Sequence, residues 1–207
     1  MADAEQAKVS VINRALVKLG QPPSYTIDAE NQLGGTCDLV FDGTVAAAAA
    51  MYDWTHFRKT YALTALAGFD ANGWTYGFAL PAERVGEPLA ILDDVRREHY
   101  LRQYMIEAGA VFAEVTPLFA RCRVLLTPDY WDAGFSEGFC IMLAADLAVP
   151  LLQDSDLADK MMAKAIGRPE EQGGGGLLGK LIGLNRAAQP QGRRFMDDDP
   201  LTRARFG

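Results

Sequence analysis

The sequence predicts an α+β protein: mainly a helical bundle, with a small antiparallel β insertion and an extended C-terminal arm. Three observations lead there. Apolar residues recur at helical spacing near both ends of residues 1–168 and at strand spacing between them. The strand-like runs sit together and do not alternate with helices, which argues against a βαβ order. Four consecutive glycines, 173–176, separate a last stretch of opposite charge from the rest. The boundaries that follow are a bundle in 1–56 and 133–168, a β insertion in 57–132, and a glycine-tethered arm in 169–207.

Residues 4–19 read as the first helix. Val9, Ile12, Leu16 and Leu19 make one apolar stripe. Asp3 is placed to cap it with Gln6 as its capping-box partner, and Gly20, Pro22 and Pro23 stop it. A second helix spans 36–53, starting near Thr36 or Asp38. Its centre, 46–50, is five alanines, which suits either close approach of a neighbouring helix or simply good helix formation. Beyond Trp54 the period changes. Trp74, Tyr76, Phe78 and Leu80 alternate with small or polar residues, and Pro81 ends the run. Residues 100–106 read as a further strand. Glu107, Ala108 and Gly109 make a turn into 110–115, and Cys122, Val124 and Leu126 alternate with Arg121 and Arg123. Short adjacent strands of this kind pair best as antiparallel neighbours. Helix returns over 134–152, with Phe135, Phe139, Met142, Leu143, Leu147 and Leu151 on one face. Pro150 is expected to kink or end it. Residues 153–156 form a turn and cap, and a last helix runs to about Ile166 with Leu157, Met161 and Ala165 inward.

The chain has 207 residues and a net charge of −7, a balance that does not suggest a nucleic-acid binder. Residues 1–176 carry 14 Lys/Arg against 24 Asp/Glu, whereas residues 177–207 carry six against three. Cys37, Cys122 and Cys140 are far apart and odd in number, and there are two histidines, so neither a disulfide framework nor a zinc site is expected. The first residues lack the pattern of a signal peptide. The longest apolar stretch, 139–152, contains Asp146 and Pro150 and is too short to cross a bilayer. The expectation is a soluble protein of a reducing cytoplasm.

Two stretches imitate catalytic motifs. Residues 174–180 read G-x-x-x-x-G-K, yet a polar segment precedes them where a phosphate-binding loop needs a strand, and Leu181 stands where the magnesium-binding Ser or Thr belongs. Residues 134–138 read G-x-S-x-G. Both His56 and His99 precede Ser136, so the chain order of a nucleophile-elbow hydrolase is not met, and Ser136 reads as a helix N-cap. Asp53 with His56 reads as a structural pair, Asp93 and Asp94 beside Arg96 and Arg97 as a solvated face, and 197–199 as a solvated acidic tail. No catalytic, cofactor-binding or metal-binding set is assigned, and the expectation is a protein that is not an enzyme.

Five stretches, in order, resemble phage head-to-tail adaptors of the tail tubular protein A type. They are "INRALVKLGQPP" (12–23), "MYDWTHFRKTYALTALA" (51–67), "YGFALPAERV" (76–85), "YMIEAGAVFAEVTPLFARCRVLLTPDYW" (104–131) and "FSEGFCIMLAADLAVPLLQDSDLADKMMAKA" (135–165). The resemblance covers roughly 10–166 and implies a virion structural protein at the head-to-tail junction. Such adaptors form a dodecameric ring under the portal protein. The ring offers a docking platform to tail or nozzle proteins and a channel through which viral DNA passes without sequence-specific binding. Residues 87–100 are more charged than the family leads one to expect, and nothing beyond Gly173 matches it.

The last segment is therefore read from its residues. Glycines 173–176 make a flexible tether. Leu177, Leu178, Leu181, Ile182 and Leu184 form an apolar cluster with Lys180 among them, and Arg193, Arg194, Phe195, Arg203 and Arg205 follow. So short a segment folds back on the body or binds a partner, and these ten apolar and basic residues are the expected portal-binding arm. The alternatives are a disordered terminus, or a short amphipathic membrane contact, which the segment is too short to favour. For the whole protein, the alternatives are a cytoplasmic interaction module with a basic binding arm and, further off, a serine hydrolase using Ser136.

Overall fold

A computed structural model describes residues 2–27, 32–68, 73–96, 99–168 and 175–188. Among them are five α-helices and two small antiparallel sheets, in the order α1, α2, seven strands, α3, α4, α5. The class is α+β, with the strands segregated between α2 and α3. The chain divides into two units. One takes 1–13 and 24–132, the other 14–23 and 133–207, so helix α1 (Ala2–Lys18) runs from one into the other.

In the first unit, α2 (Gln32–Met51) buries Gly34, Cys37, Phe41, Thr44, Val45 and Ala48, a stripe at three- and four-residue intervals. Both helices start earlier than their capping residues suggest. Asp3 lies inside α1, and Thr36 and Asp38 lie inside α2, which begins at Gln32. Of the central alanines, Ala48 and Ala49 are wholly buried while Ala47 and Ala50 face out. Trp54 follows the helix and donates its indole N–H to the Ala48 carbonyl at 2.9 Å, satisfying a buried acceptor in the last turn of α2.

The strands are β1 (Arg58–Ala62), β2 (Tyr76–Ala79), β3 (Ala90–Asp94), β4 (His99–Tyr100), β5 (Met105–Glu107), β6 (Ala110–Ala113) and β7 (Phe119–Arg123). They form two sheets, ordered β1-β7-β3-β4 and β2-β6-β5, all antiparallel. The expected strands at 74–80 and 110–115 are present in shorter form, the one expected at 121–126 is displaced to 119–123, and the one expected at 100–106 is divided between β4 and β5. Strands β1 and β3 were not legible in the sequence. The β5–β6 hairpin turns on Ala108 (φ 48°) and Gly109 (φ 78°), two positive-φ residues of the kind a two-residue hairpin turn requires. Alternate side chains of β2, β3, β6 and β7 (Phe78, Ile91, Val111, Ala120, Cys122) join Leu80 and Leu118 in one apolar cluster.

In the second unit, α3 (Ala133–Leu152) packs on α4 (Ser155–Ile166) and α5 (Gly176–Ala188), and α4 packs on α5. Helix α3 buries ten residues, among them Phe135, Phe139, Met142, Leu143 and Leu147. It is longer than the apolar stretch 139–152, and by length and composition it could cross a bilayer (mean hydropathy 1.6). More than half of that window is buried inside the fold, as in the core helix of a helical unit. Pro150 sits inside the last turn without ending the helix there. A proline so close to the C-terminus forfeits a single backbone hydrogen bond. Gln153 (φ 56°) turns the chain, and Asp154 caps α4 by accepting from the Leu157 amide at 2.8 Å.

Candidate functional site

The leucines assigned to an arm begin a helix. Gly176 opens α5 at φ 64°, and a Cβ there would lie 2.5 Å from the Gly167 nitrogen and 2.6 Å from the Ala165 carbonyl carbon and oxygen. The last of the four glycines is thus a close-packed turn against the end of α4, where no side chain fits. Leu178 is wholly buried. Its Cδ2 would stand 2.6 Å, and its Cγ 2.9 Å, from a Cβ on Gly138, so the side chain fills the space that glycine leaves on α3. Leu177, Leu181 and Ile182 are half-buried, whereas Leu184 is 66% exposed. The expectation of an extended segment from Gly176 therefore gives way to a docked helix for 176–188. A leucine cluster this apolar lowers its free energy most by covering its own core. Arg193, Arg194, Phe195, Arg203 and Arg205 lie outside the described residues.

The same geometry disposes of the phosphate-loop imitation. Of its residues, 176–180 are already helical, Gly179 is buried, and Gly176 abuts backbone. No open cradle of amides is formed by these residues.

Ser136 is not an N-cap. Helix α3 begins three residues earlier, at Ala133, and Ser136 lies in its first turn. Its Oγ accepts from Arg14 Nη1 at 3.2 Å. The neighbouring Glu137 binds Arg14 Nη2 at 2.6 Å and Lys18 Nζ at 2.5 Å. Arg14 and Lys18 are four apart on α1 and so share a face. The Lys18 hydrogen bond chiefly holds the Glu137 carboxyl below its ordinary range, with Arg14 adding to it against a desolvation penalty. A guanidinium has no acceptor and cannot take a proton from Ser136.

The other titratable candidates have partners of their own, and Asp53 and His56 do not pair with each other. Asp53 grips Arg58 with both oxygens at 2.7 Å. His56 faces Asp132 at 3.4 Å, and burial pushes its imidazole below the ordinary value while Asp132 opposes the shift. His99 Nδ1 lies 2.6 Å from Asp93, and Asp94 accepts from the Arg96 amide at 2.8 Å. Among the described residues, no three His, Cys, Asp or Glu side chains gather where they could hold a metal ion.

One surface of the first unit was not foreseen in the sequence. Phe41, Val45, Leu125, Leu126, Pro128 and Trp131 line an open groove of about 290 Å³, with Glu5, Lys8 and Asp42 on its rim. Phe41 and Trp131 lie with ring planes 8° apart and centroids at 6.4 Å. Behind the rim, Lys8 binds Asp38 at 2.7 Å and lies 4.9 Å from the Phe41 ring centroid, while the Tyr25 hydroxyl donates to Asp38 at 2.6 Å. Burial resists ionisation of Asp38, but hydrogen bonds from Lys8 and Tyr25 outweigh it and lower the carboxyl. The Tyr25 phenol is raised by burial and then by Asp38. Asn13 fixes Tyr25 in place through two hydrogen bonds of 3.0 Å to its backbone. The groove's apolar residues come from segments 80 positions apart, at no common period, so only the fold assembles them.

No protein-family model matches the sequence, and no curated protein matches it either.

Proposed function

We propose that this protein is a phage head-to-tail adaptor. It is a non-enzymatic virion structural protein, made in the host cytoplasm, that forms a ring under the portal protein. Viral DNA passes through the ring without sequence-specific binding, and tail or nozzle proteins dock on it. The observation that carries the reading is the order of the elements. Two helices, an antiparallel β segment between α2 and α3, and two further packed helices follow one another as the five adaptor-like stretches do.

In finer terms, α1 to α4 are the bundle, and the arm that reaches the portal starts beyond α5. The basic-aromatic residues Arg193, Arg194 and Phe195 are its contacts. Leu178 serves instead to dock α5. A structural role is supported by Ser136 being held by a cation that cannot act as its base.

The test is cryo-electron microscopy of the native particle. Around a dozen copies ringed about a channel under the portal is the expected result. A free monomer in its native source refutes the reading.

A further inference from the structure

The groove at Phe41 and Trp131 combines apolar walls with an acidic rim. Glu5 and Asp42 are exposed, and the ammonium of Lys8 is directed at Asp38 (2.7 Å) with Asp42 further off (3.8 Å). At about 290 Å³ the groove is at the small end of ligand-pocket volumes, roughly 300–1,000 Å³. It suits one or two apolar side chains flanked by cations. This chain carries such a sequence in "LTRARF", residues 201–206. In it Arg203 and Arg205 flank Ala204, and Phe206 follows directly. Residues 193–195, Arg-Arg-Phe, are a poorer match, because Asp197, Asp198 and Asp199 follow and the rim repels them.

We propose that residues 201–206 of a second copy of this chain dock in the groove. Phe206 inserts beside Phe41 and Trp131, and Arg203 and Arg205 pair with Asp42 and Glu5. The choice of a second copy rests on the ring reading above. A ring needs a heterologous contact, in which two different patches of one subunit meet, and groove and segment are two such patches. Their opposite charges orient neighbouring copies head to tail. Six residues in a groove fall short of the roughly 1,000 Å² that an independent stable interface needs. The contact therefore adds to ring closure and does not by itself hold a dimer.

The test uses the full chain with Phe206→p-benzoylphenylalanine, mixed with ¹⁵N-labelled copies at high concentration, irradiated and mapped by mass spectrometry. The expected crosslinks join light to heavy copies and fall on residues 41–45 or 125–131. Asp42→Asn with Glu5→Gln is expected to lower their yield about two- to tenfold, the scale of two exposed ion pairs. The same probe at Phe195 is expected to map elsewhere. Crosslinks within one copy, crosslinks outside the groove, or a yield that ignores the rim charges overturn the proposal. A ring seen by microscopy together with crosslinks outside the groove overturns this contact alone. Copies that never associate overturn both.

Discussion

Gly138→Ala should reverse the sign of its effect on stability when Leu178 is shortened. In the natural chain the new methyl meets Leu178 Cδ2 at 2.6 Å and Cγ at 2.9 Å, and Leu178 is wholly buried, with little freedom to move aside. Overpacking of this kind costs about 1–3 kcal/mol. Alanine in place of glycine inside a helix returns about 1 kcal/mol. The net is a loss of between about zero and 2 kcal/mol. Leu178→Ala alone removes a full core side chain and costs about 2–5 kcal/mol. In that background both clashing atoms are gone, and the next neighbour of the methyl is Leu177 Cδ2 at 3.8 Å. Gly138→Ala then stabilises by about 1 kcal/mol and fills part of the cavity. The coupling between the two changes is about 1–3 kcal/mol. Urea unfolding of the four full-length chains, read as midpoints at constant slope, measures it. An effect of Gly138→Ala equal in sign and size in both backgrounds would show that Leu178 does not occupy the space above Gly138, and the docking of α5 on α3 would fall with it.

Four further outcomes follow from the same geometry. Gly176→Ala combines a positive φ with backbone atoms 2.5–2.6 Å away, so it should loosen α5. Amide exchange over 176–188 should rise, and unchanged protection there refutes the packing. Glu137 has a depressed folded pKa, so its ion pairs add stability fully above the unfolded carboxyl value of about 4.3 and lose it as pH falls through the lower folded value. Its side chain is 40% exposed, which limits the effect to about 1 kcal/mol or less. Glu137→Gln should reduce the stability difference between pH 7 and pH 3, and an identical pH profile contradicts the assignment. Cys37 and Cys140 are buried with thiols pushed up to about 11 by desolvation, and Cys122 is buried and raised too. All three should resist a disulfide reagent at pH 8 until urea unfolds the chain. Rapid labelling of the native protein counts against these burials. Deleting 189–207 should abolish portal binding and leave the unfolding midpoint nearly unchanged, whereas deleting 177–207 should also destabilise by stripping Leu178 from α3. Portal binding retained by the 1–188 chain refutes the arm.

The helices were the legible part of the fold. Ile12, Leu16 and Leu19, and then Phe135, Phe139, Leu143 and Leu147, repeat at the helical period, and all are buried. That period follows from local backbone geometry alone. Strand β1 was hidden because Arg58, Lys59 and Thr60 supply its sequence. It lies at a sheet edge, where charged residues are tolerated. Strand β3 was hidden because Asp93 and Asp94 looked like part of a charge run, yet Ile91 and Leu92 beside them are buried. Ser136 was misplaced because a good capping residue also occurs within the first helical turn, and a cap depends on backbone angles that no residue type dictates.

What the sequence determined by itself was the class of fold, the positions of its main helices and the charge contrast between body and tail, because periodicity and charge are properties of neighbours along the chain. The tertiary structure decided everything that depends on residues meeting across distance. It divided the β segment into two sheets and exchanged the partners of Asp53 and His56. It also gathered Phe41 and Trp131 into one groove. Glycines 173–176 show the difference most plainly. Along the chain they read as a free tether, but in space Gly176 is held against Ala165 and Gly167, while Gly138 makes room for Leu178. Whether a glycine gives freedom or close approach depends on what stands beside it, and that is settled only by packing.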